Sequence, residues 1–490
     1  MRPYQEAAVA AARRHRAAHG SAILEEFSDF LALPNVSSDL TDVRRVADHI
    51  VSMLERRRVT ARLLEHPEAA PIVTGTITGA GERQTIGIYA HYDGQPVDPT
   101  VWTTPPFVPT LLDHGEQIPI PPAGDPIDEE WRMRARSAAD DKTPILALVT
   151  ALDALHAAGM EPAVDLVLLF EGEEEIGSPH LASSLRQHRG SFAADLWLIC
   201  DGPVHQSGRP QIIFGVRGIA EMEITVYGPA RGLHSGHYGN WAPNPASRLA
   251  TLLASMKDDS GRVLVDGFFD DVVAPTPAEL EAIGAIPPYE EDLLDELAIG
   301  APEGSGESLI ERMYLPSLNV RGLSAGGVGD LAANVVPDSG TASIDVRLPA
   351  GHDGDAMLDH IEAHIRAQGF HVVSEPASHA VRRAHNKVAL VKRRSSYPGL
   401  RLPVDHPAGT AVLAAAAAAG ASDVVAMPTL GGSVPIAHFA EHLGSPTVIA
   451  PMANHDNNQH DADENLRIGN LWYGIDLMAA LLTMDTEALR

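Results

Sequence analysis

The run Val164-Asp165-Leu166-Val167-Leu168-Leu169-Phe170 passes directly into Glu171-Gly172-Glu173-Glu174-Glu175-Ile176-Gly177-Ser178. The first part is short, leucine- and valine-rich and almost without alternation, the pattern of a strand buried on both faces inside a parallel sheet. Four carboxylates then stand at its carboxyl end, where open α/β sheets place their ligands. Mutual repulsion makes such a cluster costly unless protons or cations neutralise it, and the expected neutraliser is metal. The fold class this predicts is α/β, a doubly wound sheet with its site at the strand ends.

Other segments end in the same way. Thr85-Ile86-Gly87-Ile88-Tyr89-Ala90 delivers His91-Tyr92-Asp93-Gly94, and side chains two apart on an extended chain face the same way, so His91 and Asp93 can enter one cleft. Ser137-Ala138-Ala139-Asp140-Asp141-Lys142-Thr143-Pro144 opens a helix with Ile145, Leu148, Val149, Leu152 and Leu155 on its apolar side and Gly159 as its stop. Leu196-Trp197-Leu198-Ile199-Cys200 ends on Asp201, and Pro446-Thr447-Val448-Ile449-Ala450 leads to a loop offering His455 or His460. Each feature alone has an ordinary explanation. An H-x-D tripeptide is usually a solvated loop, paired aspartates usually cap a helix, an acidic run usually faces water, and a strand-ending acid is often incidental. The coincidence carries the signal, because a doubly wound sheet gathers its strand ends into one crevice. Histidines mixed with carboxylates form the N/O ligand set of zinc or manganese, and one acid beyond those needed for ligation is free to act as a base.

Elsewhere the periodicity changes. Glu221-Met222-Glu223-Ile224-Thr225-Val226 and Thr341-Ala342-Ser343-Ile344-Asp345-Val346-Arg347-Leu348 alternate strictly, as strands covered on one face do. A helix over 355–368 carries Leu358, Ile361 and Ile365 on one side, and the acidic, proline-containing stretch 257–310 reads as loops and short helices. Together these predict an inserted α+β domain over 217–392, dividing the α/β domain into residues 1–216 and 393–490, the second part with an alanine-rich helix over 409–419. Residues 5–66 read as helical with a break at Leu33–Ser37 and a cap signal at Asp39 to Asp42, and 99–130 as a proline-rich surface excursion without elements.

Length and charge narrow the classes. A chain of 490 residues, 44% hydrophobic and 21% charged, is an ordinary globular protein of two or more domains. A net charge of -29 argues against nucleic acid and against anionic membrane surfaces, since both demand a basic face. The single cysteine, Cys200, lies in an apolar strand and reads as core. The N-terminus lacks an apolar signal core and no segment is long and apolar enough to span a bilayer, so a cytoplasmic location is expected.

In order, the motifs are H-x-D (91–93), A-x-D-D-K (138–142), E-G-x-E-E-x-G-S (171–178), Asp201, L-H-S-G (233–236), G-G-S-x-P (431–435) and H-x-x-x-E (460–464). This set resembles the M20 metallopeptidases, in particular the carnosinase and cytosolic non-specific dipeptidase group, over nearly the whole chain. The resemblance implies two divalent cations, zinc or manganese, with Asp140 bridging them, His91 and Asp201 on the first, and Glu175 and His460 on the second. His460 is preferred to His455 because Asp461-Ala462-Asp463-Glu464 follows it. By the same resemblance Glu174 is the general base, Asp93 orients His91, and the inserted domain is a lid that also makes a homodimer. His234 would reach into the other subunit's site to polarise the scissile carbonyl, Arg347, Ser433 and Gly432 would hold the substrate carboxylate, and Asn334 would add a polar contact. Read from the residues alone, His234 is a solvated loop side chain and Arg347 a surface partner of Asp345.

The chain departs from the family pattern at Ala135, Ser137 and Thr143, where glycines are usual, and at Leu430, where many dipeptidases carry an acid. Leu430 argues against recognition of a free α-amine; Asp201, where glutamate is the alternative, accompanies dipeptidases and aminopeptidases. The implied activity is hydrolysis of an amide bond in a dipeptide or short peptide. An N-acyl-amino-acid amidohydrolase on the same metals is the second reading. A non-catalytic metal-binding protein is the third, and Glu174, an acid that ligation does not require, argues against it.

Overall fold

The computed structural model describes residues 2–78, 83–304, 306–420, 423–432, 435–485 and 489. The acidic-ended run is the strand Asp165–Glu171, inside an eight-stranded sheet. In spatial order the strands are Thr60–Leu64, Ile72–Ile77, Asp165–Glu171, Thr85–His91, Leu196–Ile199, Thr447–Ile449, Gln211–Ile213 and Val425–Met427. The four strands from Asp165–Glu171 to Thr447–Ile449 are mutually parallel, so their carboxyl ends share one edge. The flanks run the other way: Ile72–Ile77 pairs antiparallel with Asp165–Glu171, and Gln211–Ile213 with Thr447–Ile449. The sheet is therefore mixed, with four parallel strands at its centre and one further parallel pair, Gln211–Ile213 with Val425–Met427, at one edge.

Helices cover both faces. Lys142–Ala157, Pro407–Ala419 and Ile468–Leu482 share one core with the N-terminal helices Arg2–Leu31 and Leu40–Arg56, while Leu181–Gln187 and Ile436–Leu443 pack on the opposite face. The helix Lys142–Ala157 is buried on every side through its first three turns, wedged between the sheet and the helices Arg2–Leu31 and Ile468–Leu482. Among the described residues no helix is long and apolar enough to cross a membrane.

Two local expectations fail. Residues 60–64 are not helical: the helix Leu40–Arg56 stops at Arg57, Arg58 takes a positive φ, and Thr60–Leu64 becomes an edge strand in a hairpin with Ile72–Ile77, a link too short for anything but an antiparallel pair. The stretch 99–130 is not without elements either. It contains the hairpin Thr110–Asp113 and Glu116–Ile118, turned at His114 and Gly115, which extends through Arg132–Arg134 to Asn465–Arg467 in a four-stranded sheet. That last pairing lays the loop before Asn465 beside residues 135–141.

The inserted unit is a five-stranded sheet ordered Ser317–Ser324, Ser339–Leu348, Gly218–Tyr227, Val388–Tyr397 and His371–Val373. Its alternating strands turn Met222, Ile224, Val226, Ala342, Ile344 and Val346 into a separate core with the helices Pro245–Ala254 and Gly354–Ala367. On the other side Glu221 and Glu223 meet Arg321 and Arg394. The strand Val388–Tyr397 runs past 392, so the unit closes several residues later than the alternation predicts; its last part, Lys392–Ser396, is exposed and carries no apolar signal.

Candidate metal centre

The shared carboxyl edge of the parallel strands gathers the acids and histidines. His91 ends the strand Thr85–His91 and is fully buried, its Nε2 2.8 Å from Asp140 Oδ1. The other oxygen of the same carboxylate, Asp140 Oδ2, lies 3.1 Å from His460 Nε2, and that nitrogen is 3.2 Å from Glu175 Oε2. Two groups of ligating atoms result, His91 with Asp140 and Asp201, and Asp140 with Glu175 and His460, each group within 4.8 Å of itself. Asp140 belongs to both. His455 is exposed and outside both groups.

Backbone donors and buried ion pairs fix these positions. Asp93 accepts from the Ser37 hydroxyl at 2.8 Å and from the backbone N–H groups of Glu174 and Glu175 at 3.2 and 3.1 Å, so one carboxylate caps the 3-10 turn that presents both glutamates. Its Oδ1 also stands 3.4 Å from His91 Nδ1. Gly172 lets this turn approach, since a Cβ there would lie 2.7 Å from Tyr92 Cζ, and Gly177 ends the turn at φ 87°. Glu464, fully buried, accepts from the N–H groups of Ser137, Ala139 and Asp140 and pairs with Arg136 Nη1 at 2.7 Å. It thereby ties the His460 loop to the Asp140 loop. Asn35 bridges the Tyr92 carbonyl and the Ser137 hydroxyl, and Lys142 donates to the Phe30 and Leu33 carbonyls. Burial lowers Lys142 to about 7, and its partners show it to be a strut toward the first helix rather than a site cation.

The electrostatics are those of an anion excess. Burial pushes Asp201 up to about 7, with Asp140 and Glu175 adding to the shift against His91. Burial likewise holds Glu174 well above the usual carboxylate range, opposed by His91 and reinforced by Asp201, Asp140 and Glu175. Hydrogen bonds to Asp140 and Glu175 raise His460 to about 10. Burial alone would lower His91, but hydrogen bonds to Asp140 and Asp93 carry it well above its ordinary value. Buried acids that retain protons near neutrality beside imidazoles that retain theirs form a donor set that divalent cations relieve, replacing shared protons by metal charge. The residues fit such ions: nitrogen and oxygen donors only, with a carboxylate common to both groups.

The remaining sequence candidates are not drawn into this cluster within the chain. His234 is exposed on the short strand Leu233–His234, its Nδ1 accepting from Gly236 N–H at 3.1 Å and its ring against His237. Asn334 lies beside it, its carbonyl accepting from Ser235 N–H at 2.9 Å. Arg347 is half-buried on the inserted sheet, 3.3 Å from Asp345 and close enough to Arg217 to depress it; burial first and Arg347 second bring Arg217 to about 10. Gly432 faces open space, and Ser433 lies outside the described residues. The clamps Glu464, Ser37 and Asn35 were not singled out from the sequence. Only Glu464 left a signal, as the last letter of H-x-x-x-E.

Comparison with known proteins gives the family. Among curated relatives, Cys-Gly metallodipeptidase dug1 of Schizosaccharomyces pombe is 26% identical over 468 residues, covering 91% of this chain and 92% of that protein. The human Beta-Ala-His dipeptidase is 25% identical over 416 residues, covering 84% and 76%. Among solved structures, the M20 family metallo-carboxypeptidase Sso-CP2 from Sulfolobus solfataricus aligns at TM-score 0.77 and 26% identity over 94% of this chain and 98% of its own. Human carnosine dipeptidase 1 shares the fold at TM-score 0.74 and 21% identity, covering 98% of each chain. The profile of peptidase family M20/M25/M40 matches residues 87–484, a span that runs from the strand carrying His91 through the helix that follows His460, and the chain belongs to that family.

Proposed function

We propose that this protein is a cytoplasmic, homodimeric dipeptidase that hydrolyses the amide bond of dipeptides or short peptides with two divalent cations, zinc or manganese. The observation that carries the reading is Asp140, whose two oxygens face His91 and His460, members of separate ligand groups. Relatives named as Cys-Gly and Beta-Ala-His dipeptidases support dipeptides over N-acyl amino acids.

In this reading His91, Asp140 and Asp201 hold one ion and Asp140, Glu175 and His460 the other. When bound, the ions would act as Lewis acids toward the carbonyl and lower the pKa of a shared water toward neutrality. Glu174, fixed by its N–H to Asp93, takes the proton from the attacking water and returns it to the leaving nitrogen. Its buried acidic setting raises its proton affinity, which suits the first step, and nearby cation charge would keep it ionised beforehand and ease the proton's return in the second. Asp93 holds His91 through Nδ1, leaving Nε2 toward the ion site. His234 stands apart from the cluster of its own chain, and in this reading it donates to the developing oxyanion in a second subunit, with Asn334 beside it. Arg347, Ser433 and Gly432 receive the substrate carboxylate.

The test is hydrolysis by metal-stripped and by zinc- or manganese-restored protein, comparing a free-amine dipeptide with its N-acetylated form. The reading predicts restored cleavage of the free-amine dipeptide. Preference for the acetylated form would make the protein a deacylase, and tight metal binding without cleavage of either would make it a binding protein.

A further inference from the structure

Outside the centre described above, the described residues hold one more group of side chains able to share a cation: His438, Glu441 and His442. They lie on the eight-residue helix Ile436–Leu443, with Phe439 fully buried and packed against Trp197 at 4.7 Å and Tyr89 at 5.3 Å between ring centres. That anchor fixes the helix's rotation. His438 and His442, four residues apart, then stack on one face with rings nearly parallel, 7° between planes and 6.1 Å between centres. Glu441 is exposed, its Oε1 3.8 Å from His442 Nδ1.

We propose that these three side chains form an additional, lower-affinity site for a borderline divalent cation such as Zn2+, Ni2+ or Cu2+, separate from the paired centre. Two imidazoles four apart on a helix, with a carboxylate between them, supply the donor types and bite these ions prefer, and the exposed Glu441 leaves the remaining positions to water. Magnesium and calcium, which prefer oxygen, are disfavoured. The Arg186 guanidinium stands 3.5 Å from His442 Nε2, so His442 would ligate through Nδ1, on the side of Glu441. Arg186 also places a positive charge against the incoming ion, which sets this site below the paired centre in affinity. The proposal does not depend on the catalytic reading: its three residues lie in neither of the groups that share Asp140.

Equilibrium dialysis of the untagged holoenzyme against excess Zn2+, with metal content measured per subunit, tests it. Wild type is expected to carry one zinc more than His438→Ala/His442→Ala, with dipeptide hydrolysis under catalytic metal alone unchanged between them. Glu441→Gln, at an exposed position where folding is not at stake, is expected to weaken the extra equivalent, and Arg186→Ala to tighten it. Asp140→Asn is expected to keep it while losing metal from the paired centre, which separates failure of this site from failure of the other. Equal zinc content in wild type and the double-alanine variant, or no response to either Glu441→Gln or Arg186→Ala, would overturn the proposal.

Discussion

His91 and His234 sit at opposite extremes of how this chain treats a histidine. His91 is fully buried, its Nε2 2.8 Å from Asp140 and its backbone N–H on the Asp141 carboxylate. His234 is exposed on a two-residue strand whose neighbours are Val335 and Val336, with further apolar side chains, Trp241, Val328 and Leu331, exposed in the same unit. One region is built to completion inside a single chain by caps, ion pairs and close-packed turns. The other presents its side chains to whatever lies beyond the chain. Preorganisation of the first makes its chemistry a matter of local substitutions, whereas the role proposed for the second depends on a second molecule.

The sharpest way to break the comparison is at the buried edge. Glu174→Gln keeps the shape and removes the proposed base, so kcat is expected to fall by about 100- to 10,000-fold with metal content intact. Near-normal turnover would show that the proton passes elsewhere. Glu464→Ala strips acceptors from three backbone N–H groups and strands the buried Arg136, an expected loss of about 3 to 5 kcal/mol in unfolding stability together with weakened metal binding. A mild effect confined to stability would mean that the two loops hold together without it. On the exposed side, His234→Ala is expected to cost about 100- to 1,000-fold in kcat and nothing in metal content or stability. Mixing it with a Glu174→Gln partner sharpens the test. A hybrid dimer pairing a His234-intact subunit with a Glu174-intact subunit should recover activity if the histidine serves across subunits, and should not if it serves its own.

Much of the buried edge was legible in the sequence because strand ends announce themselves: an apolar run stops, and the next polar residue sits at a place the fold determines. His91, Asp140, Glu175, Asp201 and His460 all follow that rule or the motif order beside it. What could not be read were contacts between loops. Glu464 looks like one acid in an acidic stretch until the pairing of Asn465–Arg467 with Arg132–Arg134 sets it under the Asp140 loop. Asn35 and Ser37 lie in what reads only as a break between helices. The hairpin at 110–118 was missed because its strands are short and bounded by proline-rich chain, and the edge strand Thr60–Leu64 because it continues a helical pattern without a proline or glycine between them.

The smallest expected effect lies far from both regions. Burial would raise Glu26, but hydrogen bonds and charge from Arg57 and then Arg56 hold it below its ordinary 4.5. As pH falls the unfolded chain takes up this proton first. Its contribution is therefore complete above the unfolded pKa and disappears as pH drops through the folded one, amounting to no more than about 1 kcal/mol at this partly exposed position. The Tm gap between wild type and Glu26→Gln should hold from neutral pH down to about pH 5 and narrow as pH falls further, through the folded pKa. A gap that stays constant would show that Arg57 holds the N-terminal helix through packing and not through charge.

Anomalous diffraction from crystals soaked in zinc addresses the sharing of Asp140 without intermediaries. Two peaks are expected at the sheet edge, one between His91 and Asp201 and one between Glu175 and His460, each within bonding distance of an Asp140 oxygen. A single peak there, or a pair that leaves Asp140 uncoordinated, would contradict the account.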